Sequence, residues 1–302
     1  MKALVFNNYR EQFDKFNKIL KLEVIDFEAI KFKNGEGKIL VNKSVKGEDV
    51  VIFSNFNNAT YYDYKEKKRE YSKDEYYVEL KRLISALDLA KSISVFLPLM
   101  YECRQNANNE GESKDYEMFV SDLKAMGVKN IITFENHGTH KNVKSYSLNK
   151  LFKDRKYDVV VSPDKGGEKR ASEYSKIMKS DLYHFDKKRD LTHLEDGSNP
   201  ISEYGGTKYD FANKNVLIVD DILDSGKTII KALENIMGAK SVDIFVAYPL
   251  FSKGLKEFKK AYKNKLFNKI YICNLINIDK KVLKSKFVEV LDCTREVGEV
   301  VR

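Results

Sequence analysis

Short unbroken apolar runs alternate with stretches of helical periodicity along the whole chain, and this alternation constrains the fold more than any other feature. In the first half the runs are LVF (4–6), VVIF (50–53), SVFLPL (94–99) and NIITF (130–134), with a further strand expected at 38–42. In the second half they are DVVVS (158–162), NVLIVD (215–220), SVDIFVAYP (241–249), KIYICN (269–274) and FVEVLD (287–292). A strand apolar at every position, not every second one, is covered on both faces, as in parallel sheets joined by helical crossovers. Helices are expected near 10–21, 115–126, 168–179 and 226–237. Another is expected over 76–92, where Leu80, Leu83, Ile84, Leu87 and Ala90 share one face. The expected architecture is α/β: two tandem Rossmann-like halves with mainly parallel sheets. The halves are residues 1–145 and 146–302, the last residues being able to return to the N-terminal half. YYDYKEKKREYSKDEYY (61–77) breaks the rhythm and reads as a solvated insertion.

The 302 residues are enough for two domains, and an apolar share of 42% is enough for two cores. No apolar run approaches the ~18 residues of a membrane span, and MKALVFNNYREQ turns polar too early for a signal peptide. Three scattered cysteines without CxxC spacing argue against a disulfide framework or a zinc site. A cytoplasmic protein is expected. The net charge of +9 and pI near 9.1 favour anionic partners. Because Lys and Arg read as interleaved with Asp and Glu, the expectation is small phosphorylated substrates, with neither nucleic acid nor membrane as a partner.

NVLIVDDILDSGKTIIKAL (215–233) carries the most chemistry. A buried strand ends in Asp220 and Asp221, and the turn Asp224-Ser225-Gly226-Lys227-Thr228 opens a helix. Ligands of open α/β sheets sit beyond the carboxyl ends of strands. There the first-turn amides and the positive helix end suit an anion. Gly226 permits close approach, Ser225 and Thr228 add hydroxyls, and Lys227 adds charge. Adjacent carboxylates suit the vicinal hydroxyls of a ribose. A Walker A loop is excluded, because Asp221 stands where that motif requires glycine. The motif resembles the ribose-phosphate loop of the type I phosphoribosyltransferase fold.

Five further segments narrow the resemblance. FKNGEGKILV places Phe32, Asn34 and Glu36 on a turn between strands. LPLMYECRQNAN carries Arg104 and Gln105 after a strand, followed by Asn106 and Ala107. FENHGTH offers His137, with His140 nearby. VVVSPDKGGEKRA has Asp164, Gly166, Gly167 and Arg170 between strand and helix. Lastly, HFDKKRD (184–190) holds Lys187 and Arg189, with a long continuation to about residue 212. In this order they resemble the ribose-phosphate pyrophosphokinases, a family of two tandem phosphoribosyltransferase-like domains.

The resemblance implies transfer of the diphosphoryl group of Mg-ATP to the anomeric 1-hydroxyl of a 5-phosphorylated ribose, in nucleotide biosynthesis. Ribose 5-phosphate is the expected acceptor, giving phosphoribosyl pyrophosphate and AMP. ADP-ribose, which would point to NAD metabolism, and a catalytically silent regulatory relative are the alternatives. Phe32, Asn34, Glu36, Arg104 and Gln105 are implied to bind ATP, and Asp220, Asp221 and residues 224–228 the ribose phosphate. His137 and Asp164 are implied at Mg2+. Lys187 and Arg189 are implied as catalytic, on a mobile loop. In the family the adenine turn acts on ATP held by a neighbouring subunit, so a homo-oligomer is implied.

Overall fold

The computed structural model describes residues 1–57, 60–62, 68–70, 72–105, 110–189 and 201–302. They fall into two compact units. One comprises Met1–Tyr146, Leu275–Asn277 and Asp292–Arg302; the other comprises Ser147–Asn274 and Ile278–Leu291.

The first unit contains β1 (Lys2–Val5), α1 (Arg10–Leu20), β2 (Glu23–Val24), β3 (Phe27–Lys31), β4 (Gly37–Val41) and β5 (Asp49–Phe53). It continues with β6 (Thr60–Tyr62), β7 (Lys68–Glu70), α2 (Lys73–Ser85), β8 (Ser92–Phe96), α3 (Asp115–Ala125), β9 (Val128–Phe134) and β10 (Val143–Tyr146). Its main sheet, in order β10-β9-β8-β5-β1-β2, is parallel throughout. The apolar runs lie in its middle strands: Val51, Ile52, Phe53, Val95 and Phe96 are fully buried beneath Tyr9, Phe13 and Phe16 of the covering helical segment. The rings of Phe13 and Phe53 meet edge to face with centroids 4.8 Å apart, a favourable aromatic geometry. β3 and β4 form a separate antiparallel hairpin, as do β6 and β7.

The second unit contains β11 (Val159–Ser162), α4 (Glu168–Met178), β12 (Asp181–His184), β13 (Asp186–Arg189), β14 (Ile201–Gly205) and β15 (Asn215–Leu223). Then follow α5 (Lys227–Asn235), β16 (Ser241–Pro249), α6 (Lys256–Lys263), β17 (Lys269–Cys273), α7 (Lys280–Leu283) and β18 (Val288–Leu291). The last helix, α8 (Thr294–Val301), belongs to the first unit, where Arg302 donates to the carbonyls of Ile19 and Leu20 at the end of α1. The second main sheet, β12-β11-β15-β16-β17-β18, is again parallel. Two parallel-sheet α/β units are thus present.

Four local expectations are corrected. The helix expected over 76–92 spans Lys73–Ser85. Beyond it the chain winds through i→i+3 turns, with Leu87 N–H on Ile84 O and Ala90 N–H on Leu87 O, so the apolar stripe outlasts the α-helix and still buries Leu87. Residues 72–77, the end of the stretch read as a solvated insertion, are part of the packed fold. Ser72 and Glu75 form a reciprocal capping box at the start of α2. Tyr76 and Tyr77 are buried, Tyr77 packing on Tyr101 and Phe119. The Tyr77 hydroxyl donates to Asp122, so a polar-looking residue buries its ring and keeps its polar tip satisfied. The strand ending in paired carboxylates runs on to Leu223, because β16 continues to pair with it as far as Pro249. Finally, 186–189 is not an isolated loop but strand β13, paired antiparallel with β14. Residues 63–67 and 71 of the supposed insertion, Asn106, Ala107 and residues 190–200 lie outside the described residues.

No helix among the described residues is long and apolar enough to cross a membrane. All three cysteines are buried, and none is in a disulfide.

Candidate active site

In the second unit, β11 and β15 are neighbours, and the segments leaving their carboxyl ends build the site. After β11 the chain turns at Asp164 into a short 3-10 segment, Lys165–Gly167, that leads directly into α4. The Ser162 hydroxyl donates to the Asp164 carbonyl at 2.6 Å, and the Asp164 carboxylate accepts from the Gly167 amide at 3.2 Å. A Cβ on Gly167 would lie 2.6 Å from the Ser162 hydroxyl, so a side chain there would push that hydroxyl off the Asp164 carbonyl.

α4 then supplies Arg170, which joins both carboxylates of β15. Its guanidinium lies 3.1 Å from Asp221 and 3.7 Å from Asp220. Asp221 is buried, whereas the Asp220 side chain keeps about 20% of its surface exposed. The Asp221 amide also donates to the Asp220 carboxylate at 2.9 Å. Burial, and then the negative charge of Asp221, push the Asp220 carboxyl well above the usual range; Arg170 opposes this and Asp164 adds to it. A group that resists being charged here favours partners that donate hydrogen bonds or bring positive charge.

Lys187, on β13, reaches the Asp164 carboxylate as an ion pair. Its strand partner is Tyr204 on β14, whose hydroxyl donates to the Pro163 carbonyl at 2.8 Å while its ring stacks on Phe185. The two-stranded arm is thereby tied to the Asp164 turn at two points. Burial raises the Tyr204 hydroxyl's pKa, which keeps it a donor. Arg189 ends β13, immediately after the pairing irregularity that follows Lys188.

The turn after β15 brings the backbone amides of α5 to the same end of the sheet. Gly226 is the N-cap, at φ +78°. An added Cβ would stand 2.5 Å from the Phe258 ring. Glycine is therefore required twice, by its backbone conformation and by close packing. First-turn amides at a helix N-terminus are donors suited to an anion. Asp224, Ser225 and Thr228 are half-buried around them and Lys227 is exposed.

The first unit holds the remaining candidates at separate places. Phe32, Asn34 and Glu36 share the β3–β4 turn. It is closed by Phe32 N–H on Glu36 O and Glu36 N–H on the Asn34 side chain, and the Phe32 ring is 50% exposed. Arg104 and Gln105 follow β8, and His137 follows β9, the next strand in the sheet. A Thr133 hydroxyl on the Pro98 carbonyl ties the ends of β8 and β9 together. Arg104 and His137 are exposed. The Gln105 side chain is engaged in capping α3: its amide donates to Asp115 Oδ2 at 2.9 Å and its carbonyl accepts the Asp115 amide at 3.1 Å.

Among the described residues, no group of three or more His, Cys, Asp or Glu forms a protein-only metal cage. The donor set fits Mg2+ in another way. Magnesium takes one or two carboxylates and completes its shell with water and substrate phosphate oxygens. Asp164 offers a carboxylate on which a cationic group already rests. His137, an imidazole, is a poorer direct donor for so hard an ion. Sequence reasoning missed the roles of Tyr204 and Arg170. The Arg170 link joins positions about fifty residues apart, and the β13–β14 pairing spans a long connection, so neither leaves a local pattern.

A parallel sheet that ends in adjacent carboxylates beside a glycine-capped helix N-terminus defines a phosphoribosyltransferase-type domain. Residues 133–283 match the family model of the phosphoribosyl transferase domain. Residues 1–127 match that of the N-terminal domain of ribose phosphate pyrophosphokinase. The chain belongs to the ribose-phosphate pyrophosphokinase family. A ribose-phosphate pyrophosphokinase of Thermosipho africanus is 27% identical over 296 residues, 92% of this chain and 86% of the relative. One from Mycoplasma genitalium is 28% identical over 294 residues, 89% and 81% of the two chains. The crystal structure of phosphoribosylpyrophosphate synthetase from Mycobacterium smegmatis shares the fold. It aligns with a TM-score of 0.76 and 22% identity, covering 100% of this chain and 97% of that one.

Proposed function

We propose that the protein transfers the diphosphoryl group of Mg-ATP to the 1-hydroxyl of ribose 5-phosphate, giving phosphoribosyl pyrophosphate and AMP. The observation that carries this reading is the gathering of Asp164, Lys187, Arg170, Asp220 and Asp221 at the end of one parallel sheet that also presents the N-terminus of α5. Family membership and relatives of that name, aligned over most of both chains, support it. The larger acceptor ADP-ribose and a silent relative are not favoured by these relatives.

The α5 amides, with Ser225, Thr228 and Lys227, hold the 5-phosphate. Asp220, the more exposed carboxylate, accepts from the ribose hydroxyls, while Asp221 and Arg170 fix its position. The 1-hydroxyl oxygen attacks the β-phosphorus as the bond from that phosphorus to the α,β-bridging oxygen breaks. AMP leaves, and the hydroxyl proton passes to solvent. Such transfers depend on alignment and neutralisation more than on covalent chemistry. Lys187 turns from Asp164 to the transferring group and, with Arg189, stabilises its developing charge. Asp164 would hold Mg2+ bound to ATP, an ion that would neutralise phosphate charge; His137 is the other metal-linked residue that the family resemblance implies. Phe32, Asn34, Glu36 and Arg104 address the adenosine and phosphates of ATP. Gln105 acts there through the α3 cap it forms.

The test is mass spectrometry of reactions containing Mg-ATP with ribose 5-phosphate or with ADP-ribose. AMP and a pyrophosphorylated ribose 5-phosphate are expected in the first. A product formed only from ADP-ribose would reassign the acceptor, and no AMP in either would overturn the reading.

A further inference from the structure

The positive charge is not spread evenly, contrary to the expectation from sequence. Residues 253–286 hold eleven lysines against two carboxylates, Glu257 and Asp279; this stretch alone carries nine net charges, the excess of the whole chain. The other residues balance at 43 basic and 43 acidic. The stretch folds as α6, β17 and α7, and between the two helices lie two adjoining hollows of about 490 and 450 Å3. Lys259 and Lys281 line both; Lys256 lines the first, and Lys284 and Lys286 the second. All five are exposed, and none forms an ion pair among the described residues.

The floor beneath them is apolar, formed by Leu250, Phe251, Leu255 and Val282 in the first hollow. A cleft lined by charge of one sign over a low-dielectric floor focuses its field outward and concentrates counter-ions. The lysines face the hollows from both helices, which suits a compact anion enclosed between walls. The first hollow also reaches Leu255 and Lys256, where α6 begins without a side-chain cap. The groove is distinct from the ribose-phosphate turn: neither Lys227 nor Thr228 lines it. It backs onto that turn, with Phe251 N–H on Leu223 O and Ser252 N–H on Asp224 O.

We propose that the α6–α7 groove is a second anion site, which binds a small molecule carrying several phosphates. This goes beyond the proposed catalytic function and does not depend on it.

Calorimetric titration of the full chain with sodium tripolyphosphate, at an ionic strength of about 0.05 M to limit screening, tests it. Because tripolyphosphate can also enter the catalytic site, two binding events are expected in the wild type. The double variant K259E/K281E is expected to retain one event and to lose the groove's association at least tenfold. Its Tm and far-ultraviolet circular dichroism should match the wild type, which separates loss of the site from loss of the fold. The control K15E/K18E, on α1, should titrate as the wild type. Equal titration of K259E/K281E and wild type would overturn the proposal. So would a chain indifferent to tripolyphosphate that bound single-stranded RNA, by fluorescence anisotropy, through Lys259 and Lys281.

Discussion

Lys187 and Arg170 are both cations beside carboxylates, yet their environments assign them different work. Lys187 stands on a two-stranded arm and, among the described residues, meets a single charged partner, Asp164, so exchanging that partner for a transferring phosphoryl group costs little. Replacing it with Ala should lower kcat by a factor on the order of 10² or more, the size of a lost electrostatic donor. KM for ribose 5-phosphate should be nearly unchanged. Steady-state AMP release measures both, and unchanged turnover would remove Lys187 from the mechanism. Arg170 is only 13% exposed and its partner Asp221 3%. Removing one member of such a buried pair strands the other, at about 3–5 kcal/mol. R170A should therefore unfold at markedly lower urea concentration, and a midpoint equal to wild type would show that Asp221 finds another partner. The distinction was only partly legible in the sequence. Asp164, Lys187 and the two carboxylates stand in local motifs, but the Arg170 link depends on how α4 lies against β15.

At the level of elements, legibility followed burial. The central strands announced themselves because both faces of a parallel sheet are covered, which leaves no polar alternation to confuse the reading. The β13–β14 arm did not: its residues mix Lys, Asp, Glu and Tyr, and its pairing becomes visible only when Lys187 lies opposite Tyr204. The start of α2 was hidden by tyrosines that look polar in a list of residue types and are buried in the fold. That helix also has a consequence for the β3–β4 turn. Glu79 of α2, itself buried, accepts Lys31 at 3.1 Å and Arg82 at 2.9 Å. Lys31 precedes Phe32, and the Arg82 guanidinium lies where a side chain on Gly37 would have to go. One carboxylate thus ties β3 to α2 at the base of the turn. E79A should destabilise the protein by about 2 kcal/mol, less than a fully buried pair because both cations reach water. It should also raise KM for ATP several-fold with kcat retained. A lowered Tm with unchanged KM would confine Glu79 to stability. At the other site G226A combines a left-handed backbone position with a ring 2.5 Å from the new Cβ. Its KM for ribose 5-phosphate should rise at least tenfold, and a wild-type value would mean that the turn does not hold the phosphate.

For the whole molecule the open question is what the exposed β3–β4 turn serves. Phe32 stands 50% exposed at its tip, and an exposed aromatic beside an amide and a carboxylate is suited to a base whose ring can stack and whose edge can hydrogen-bond. The family resemblance places such a turn on the ATP of a neighbouring subunit, so we propose that this chain works as a homo-oligomer. Subunit mixing tests that directly. A chain carrying K187A keeps its turn but lacks its catalytic cation, and a chain carrying F32A and N34A keeps the cation but lacks a working turn. Each should be nearly inactive alone. Co-expressed, they would form mixed assemblies in which an intact Lys187 meets an intact turn donated by the other chain. AMP release should then exceed the sum of the two parents severalfold. If the turn serves its own chain, no assembly contains a complete site, and the mixture can only match that sum. The outcome follows from which chain supplies each half of the ATP site, and it does not require the number of subunits to be known.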